Sequence, residues 1–141
     1  MTDPAAERPI PLRVLVVDPD DRIRESITRL LPIGGRCLVV GSAGGTDEAV
    51  ALAATLVPDV AVIDSRLHDD EGVEGVEGFI GRLRSIVPNI RVLVLSWTDT
   101  PEPAPSLSGA DAYIRKTFRP HELIDAVISA ARVHAARPTR T

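Results

Sequence analysis

The segment Pro58-Asp59-Val60-Ala61-Val62-Ile63-Asp64-Ser65 constrains the fold of this chain more than any other. Four apolar residues, three of them β-branched, run from Val60 to Ile63 and stop at Asp64. An uninterrupted run of this length, bracketed by proline and polar residues, predicts a strand covered on both faces. Such strands belong to parallel sheets flanked by helices, and ligands collect at the carboxyl ends of those sheets. Asp64 stands at that end. Taken alone it reads either as a site carboxylate or as a cap on the next turn, and the other strands have to decide.

The rest of the chain repeats the unit. Leu12 to Val17 is a second apolar run, ending at Asp18. Pro19-Asp20-Asp21 suits the first turn of a helix, and Ile23, Ile27, Leu30 and Leu31 follow at helical spacing. Cys37 to Val40 is a third, shorter strand. Thr46 is placed to cap a helix through Val57, with Val50, Ala53 and Val57 inward. After Asp64 come His68 and the acidic loop Asp69-Asp70-Glu71, then glycines at 72, 75, 78 and 81. Each glycine inside a helix costs about 1 kcal/mol relative to alanine, so the next helix is expected to start near Val76 or Phe79. Ile90 to Leu95 is the fourth strand, ending at Ser96-Trp97. Pro101, Pro103 and Pro105 break up the helix that would follow. Ala110 to Arg115 is a short fifth strand leading to Lys116, and a last helix runs from Pro120 to about Val133. Residues 1–11 are expected to be a disordered lead-in, 12–133 one domain, and 134–141 a flexible tail. The βα alternation predicts a three-layer α/β/α sandwich around a five-stranded parallel sheet.

Composition narrows the function. The 141 residues suffice for one unstapled core. Aromatic residues make up only 3% of the chain, leaving little to stack a flavin, and no Gly-rich phosphate loop follows the first strand. A net charge of −4 without a basic block argues against a direct nucleic-acid surface. No apolar run approaches the roughly 20 residues of a membrane span. Cys37 is the single cysteine and fits a reducing compartment, so the expected location is cytoplasmic. Fifteen of the sixteen basic residues are arginine, which singles out Lys116.

Four strands deliver a polar group to the same sheet edge: Asp18, Asp64, Ser96 and Lys116. Two neighbouring carboxylates call for a cation, and hard oxygen ligands with room for water suit Mg²⁺. A hydroxyl and an ammonium facing them make a pocket for a tetrahedral dianion such as phosphate, with Asp64 as the nucleophile. The competing reading is structural: Asp18 and Ser96 cap helices, and Lys116 pairs with Asp64.

The stretches VLVVD, PDVAVIDSRL, VLVLS and GADAYIRK together resemble the bacterial response-regulator receiver domain, over roughly Leu12 to Val133. The resemblance implies a flavodoxin-like sheet of order 2-1-3-4-5 with a degenerate fourth helix. It implies that Asp64 is the phospho-acceptor in a two-component phosphorelay. Asp18 and the backbone carbonyl of Arg66 would join Asp64 at Mg²⁺, with Asp20 as a spare ligand. Ser96 would hold the phosphoryl group, Lys116 would be its counter-ion, and Tyr113 with Ser96 would form the switch. Implied partners are a sensor histidine kinase and an output protein or domain, with a second copy of the chain as a further candidate; charge and hydropathy set aside direct nucleic-acid binding by this chain and a membrane. Catalysis would extend no further than the domain's own phosphorylation and dephosphorylation. The chain departs from the family where Pro19 replaces the usual second acid, which weakens the metal site. It also carries Trp97 in place of a small residue, and His68 and Thr117 in place of prolines. These departures leave a second reading open, an atypical receiver that binds a protein or small molecule without phosphorylation.

Overall fold

The computed structural model describes residues 10–67, 75–97 and 109–132. The expectations for residues 1–9 of the lead-in, the tail, His68, the acidic loop and the proline-rich helix fall outside those residues. The elements are β1 (Leu12–Val17), α1 (Asp21–Leu30), β2 (Cys37–Ala43), α2 (Thr46–Leu56), β3 (Val60–Asp64), α3 (Val76–Ile86), β4 (Arg91–Ser96), β5 (Ala112–Arg115) and α4 (Pro120–Arg132). The strands form one parallel sheet in the order β2-β1-β3-β4-β5.

The strand period of two sorts the core into layers. Leu15, Val17, Ala61, Ile63, Val92 and Val94 pack under Ala49 and Ala53 of α2 and Val76, Phe79, Ile80 and Leu83 of α3. Their neighbours Val14, Val16, Val60, Val62, Leu93 and Leu95 pack under Ile27 and Leu31 on one side and Leu123, Ile124, Val127 and Ala130 of α4 on the other. Every residue of β3 and β4 is buried, which explains why both read as near-continuous apolar runs. Cys37 lies in the second layer, and burial raises its thiol pKa.

Three local expectations need correction. Strand β2 continues past Val40 to Ala43, because Leu15, Val16 and Val17 find their ladder partners in Gly41, Ser42 and Ala43. Gly41, just past the expected end, allows close packing: a Cβ there would lie 2.8 Å from Leu56 Cδ1. Thr46 does not cap α2. Gly45 is the N-cap and makes no side-chain hydrogen bond, while Thr46 is buried in the first turn. Val57 is not inward either; it follows α2 with φ 48°, 56% exposed. Arg13 Nη1 holds the end of this helix, donating to the carbonyls of Leu56 at 2.6 Å and Val57 at 2.9 Å. A β-branched residue in left-handed backbone is strained. Val57→Gly should therefore stabilise the fold by about 0.5–1 kcal/mol, the relief of strain outweighing the added chain entropy, as read by urea denaturation.

Candidate functional site

Parallel strands with short connections carry their carboxyl-end residues to one edge. Asp18 directly follows β1, Asp64 closes β3, Ser96 closes β4 and Lys116 directly follows β5. All four are buried. The Lys116 backbone N–H donates to the Ser96 carbonyl at 2.6 Å, which extends the β4–β5 pairing by one bond and turns the lysine side chain back over β3. Its Nζ lies 2.8 Å from Asp18 Oδ2 and 3.2 Å from Asp64 Oδ1. The ammonium thus bridges two carboxylates that lie far from it and from each other along the chain, brought together at the edge of the sheet.

The two acids differ in how they are satisfied. Asp18 Oδ1 accepts the Asp20 N–H at 2.8 Å, a turn closed over Pro19, and Oδ2 accepts from Lys116. Arg24 Nη1 donates to the Asp18 carbonyl at 2.7 Å and fixes its backbone as well. The Asp64 carbonyl accepts the Leu67 N–H at 3.3 Å, but its side chain has no such support. Both of its oxygens are buried and accept no hydrogen bond. Lys116 at 3.2 Å and Arg66 Nε at 3.4 Å from Oδ2 are within ion-pair range but outside hydrogen-bond geometry, so they offset its charge without filling its lone pairs. A buried carboxylate with open acceptor positions is costly, and among the described residues its oxygens are the buried carboxylate oxygens left without a hydrogen bond.

The other expected participants are placed as follows. Asp20 is the N-cap of α1, with Oδ1 accepting from the N–H groups of Arg22 and Ile23, so that oxygen serves the helix. Arg66, expected to contribute its backbone carbonyl, brings its side chain to Asp64, with Nε 3.4 Å from Oδ2. Trp97 is 45% exposed and sets its ring over the Lys116 ammonium, 4.9 Å from Nζ to the ring centroid. Phe118 leans on the same indole at 6.2 Å between centroids. Tyr113 is partly buried against the layer under α2 and α3. Arg24, the Arg66 side chain and Phe118 escaped sequence reasoning, since no spacing rule links them to the strand ends.

Thr117 has a physical account. Its hydroxyl donates to Glu122 Oε2 at 2.8 Å and accepts the Arg119 N–H at 3.2 Å, tying the lysine loop to the first turn of α4. The Thr117 hydrogen bond, aided by the charges of Arg119 and His121, holds the Glu122 carboxyl below its usual range. Thr117→Val should raise the Glu122 pKa, as read from its side-chain carboxyl shift in an NMR titration. A depressed carboxylate favours the fold above its unfolded pKa, and that contribution disappears as pH falls through the folded value.

The pattern of the response regulator receiver domain matches residues 14–128. The chain belongs to the response-regulator receiver family. This receiver is 34% identical over 118 residues to the DNA-binding transcriptional activator DevR/DosR of Mycobacterium tuberculosis, covering 82% of this chain and 52% of that protein. It is 32% identical to the response regulator VraR of Staphylococcus aureus, covering 86% and 57%. The signal receiver domain of the response regulator NarL from M. tuberculosis superposes with a TM-score of 0.74 at 30% identity, covering 88% of this chain and 98% of that one. The receiver therefore spans little more than half the length of the curated relatives it matches. The expectation about partners is corrected by these relatives. Setting nucleic acid aside rested on a net charge of −4 and the lack of a basic block, whereas the M. tuberculosis relative is named as DNA-binding. The charge of the matched half of such a relative does not report what its other half binds. No helix among the described residues is long and apolar enough to cross a membrane.

Receiver domains typically bind Mg²⁺ at an acidic pocket. The residues here suit such an ion: two buried carboxylates share one crevice, and the Asp64 oxygens are unclaimed by hydrogen bonds.

Proposed function

We propose that this receiver accepts a phosphoryl group on Asp64 from a histidine kinase of a two-component system and thereby changes what its surface binds. The observation that carries the reading is the contrast between Asp18, held on both oxygens, and Asp64, held on neither. An Asp64 oxygen attacks phosphorus, the bond from phosphorus to the donor nitrogen breaks, and an acyl phosphate results. Lys116, already 3.2 Å from Oδ1, stays as counter-ion to the added negative charge. Ser96, buried at the end of the adjacent strand, is the hydroxyl that holds a phosphoryl oxygen, and Tyr113 next along the sheet follows its movement inward. Asp18, Asp64 and the Arg66 carbonyl would hold Mg²⁺, whose charge offsets that of the phosphoryl oxygens. Pro19 supplies no further carboxylate, so the ion is held weakly. Catalysis is confined to forming and hydrolysing this acyl phosphate. A cytoplasmic location is part of the same reading, in line with relatives named as transcriptional regulators.

The test is intact-mass measurement after incubation with acetyl phosphate and Mg²⁺. The mass of one added phosphoryl group is expected, lost on mild alkaline hydrolysis as an acyl phosphate should be. A chain that stays unmodified by both acetyl phosphate and a panel of histidine kinases would overturn the proposal.

A further inference from the structure

Each oxygen of Asp64 faces a different cation, Lys116 Nζ at Oδ1 and Arg66 Nε at Oδ2. With Asp18 included, two carboxylates meet two cations. Among the described residues the crevice is therefore electrically balanced before any divalent ion enters. The two cations are held differently. The Lys116 side chain is buried and hydrogen-bonded to Asp18. The Arg66 side chain is 63% exposed and touches Asp64 only through charge, so it is a tethered counter-ion at the rim, free to withdraw into solvent.

We propose that the Arg66 side chain is an internal competitor of the divalent cation, lowering the affinity of the crevice for metal until the phosphoryl group arrives. The inference rests on the phosphoryl reading of the same site and deepens it. The two parts of Arg66 then act in opposite directions: its carbonyl is a cation ligand, while its guanidinium repels the cation and screens Asp64. Pro19 sharpens the competition, because one carboxylate fewer is present to outweigh the guanidinium. On a phosphorylated Asp64 the sign reverses, since the planar guanidinium fork suits phosphoryl oxygens. The side chain thus selects for joint occupancy by cation and phosphoryl group over cation alone.

The experiment is Mn²⁺ binding to the full chain at low ionic strength, read by loss of the free-ion paramagnetic resonance signal; carboxylate sites accept Mn²⁺ in place of Mg²⁺. Arg66→Met and Arg66→Gln remove the charge and keep the carbonyl, and the exposed side chain is not needed for folding. Both should bind Mn²⁺ more tightly, by about five-fold, the scale of an exposed ion pair. The gain should shrink in high salt. Unchanged or weaker binding in both variants, or no binding in any of the three proteins, would overturn the inference. Its fate is separable from that of the proposed function. Tightened Mn²⁺ binding without any phosphoryl adduct sinks the latter alone, and an adduct with unaltered Mn²⁺ affinity sinks only the former.

Discussion

Asp64→Asn will take up no phosphoryl group from acetyl phosphate and will unfold at a higher temperature than the parent chain. The first half follows from chemistry, because the amide oxygen is a poor nucleophile and cannot form an acyl phosphate. The second follows from the site. The Asp64 carboxylate is fully buried, accepts no hydrogen bond, and shares Lys116 with the negative charge of Asp18. Removing one buried charge leaves the remaining lysine–aspartate pair intact at 2.8 Å and relieves repulsion between the acids. A gain of about 1 kcal/mol is expected, equivalent to roughly 3 °C in calorimetry for a domain of this size. Asp18→Asn is the control. Both of its oxygens are hydrogen-bonded, so the same change there should lower the melting temperature. A loss of stability in Asp64→Asn equal to that in Asp18→Asn would mean that Asp64 is a structural ion-pair partner, and the functional reading would lose its main support.

Lys116→Met should be the most damaging single change at the site. Among the described residues the ammonium is the buried cation between the two buried carboxylates, and its removal leaves Asp18 without an ionic partner and Asp64 with only the exposed Arg66. Breaking a buried pair from one side costs about 3–5 kcal/mol, far more than the pair contributes net. Methionine keeps an unbranched side chain of similar length, so the loss reports charge more than packing. Chemical denaturation of Lys116→Met, Asp64→Asn and the double variant closes the cycle. The double variant should recover part of the lysine loss, because only Asp18 is then left unpaired. A double variant as unstable as the sum of the singles would show that Lys116 and Asp64 do not interact in solution.

Much of this was legible in the linear chain. Residues buried on both faces of a sheet leave an unbroken apolar signature, so β3 and β4 were found within a residue of their ends. The helical spacing of Leu123, Ile124 and Val127 likewise placed α4. Misreadings fell where local chemistry and tertiary pairing disagreed. Gly41 looks like a strand end but remains in the ladder because β1 offers it a partner. Thr46 looks like a cap but is carried inside by the packing of α2.

The sequence by itself determined the repeating α/β pattern and the polar residue that ends each central strand, since both are written in consecutive residues. Only the tertiary structure decided which charges meet. That both Asp18 oxygens are hydrogen-bonded while those of Asp64 are only ion-paired, that Asp20 Oδ1 is committed to a helix, and that Arg66 and Trp97 reach the crevice depend on side-chain directions set by the assembled fold. Hydrogen-bond satisfaction is a property of the assembled site, and no spacing rule along the chain encodes it.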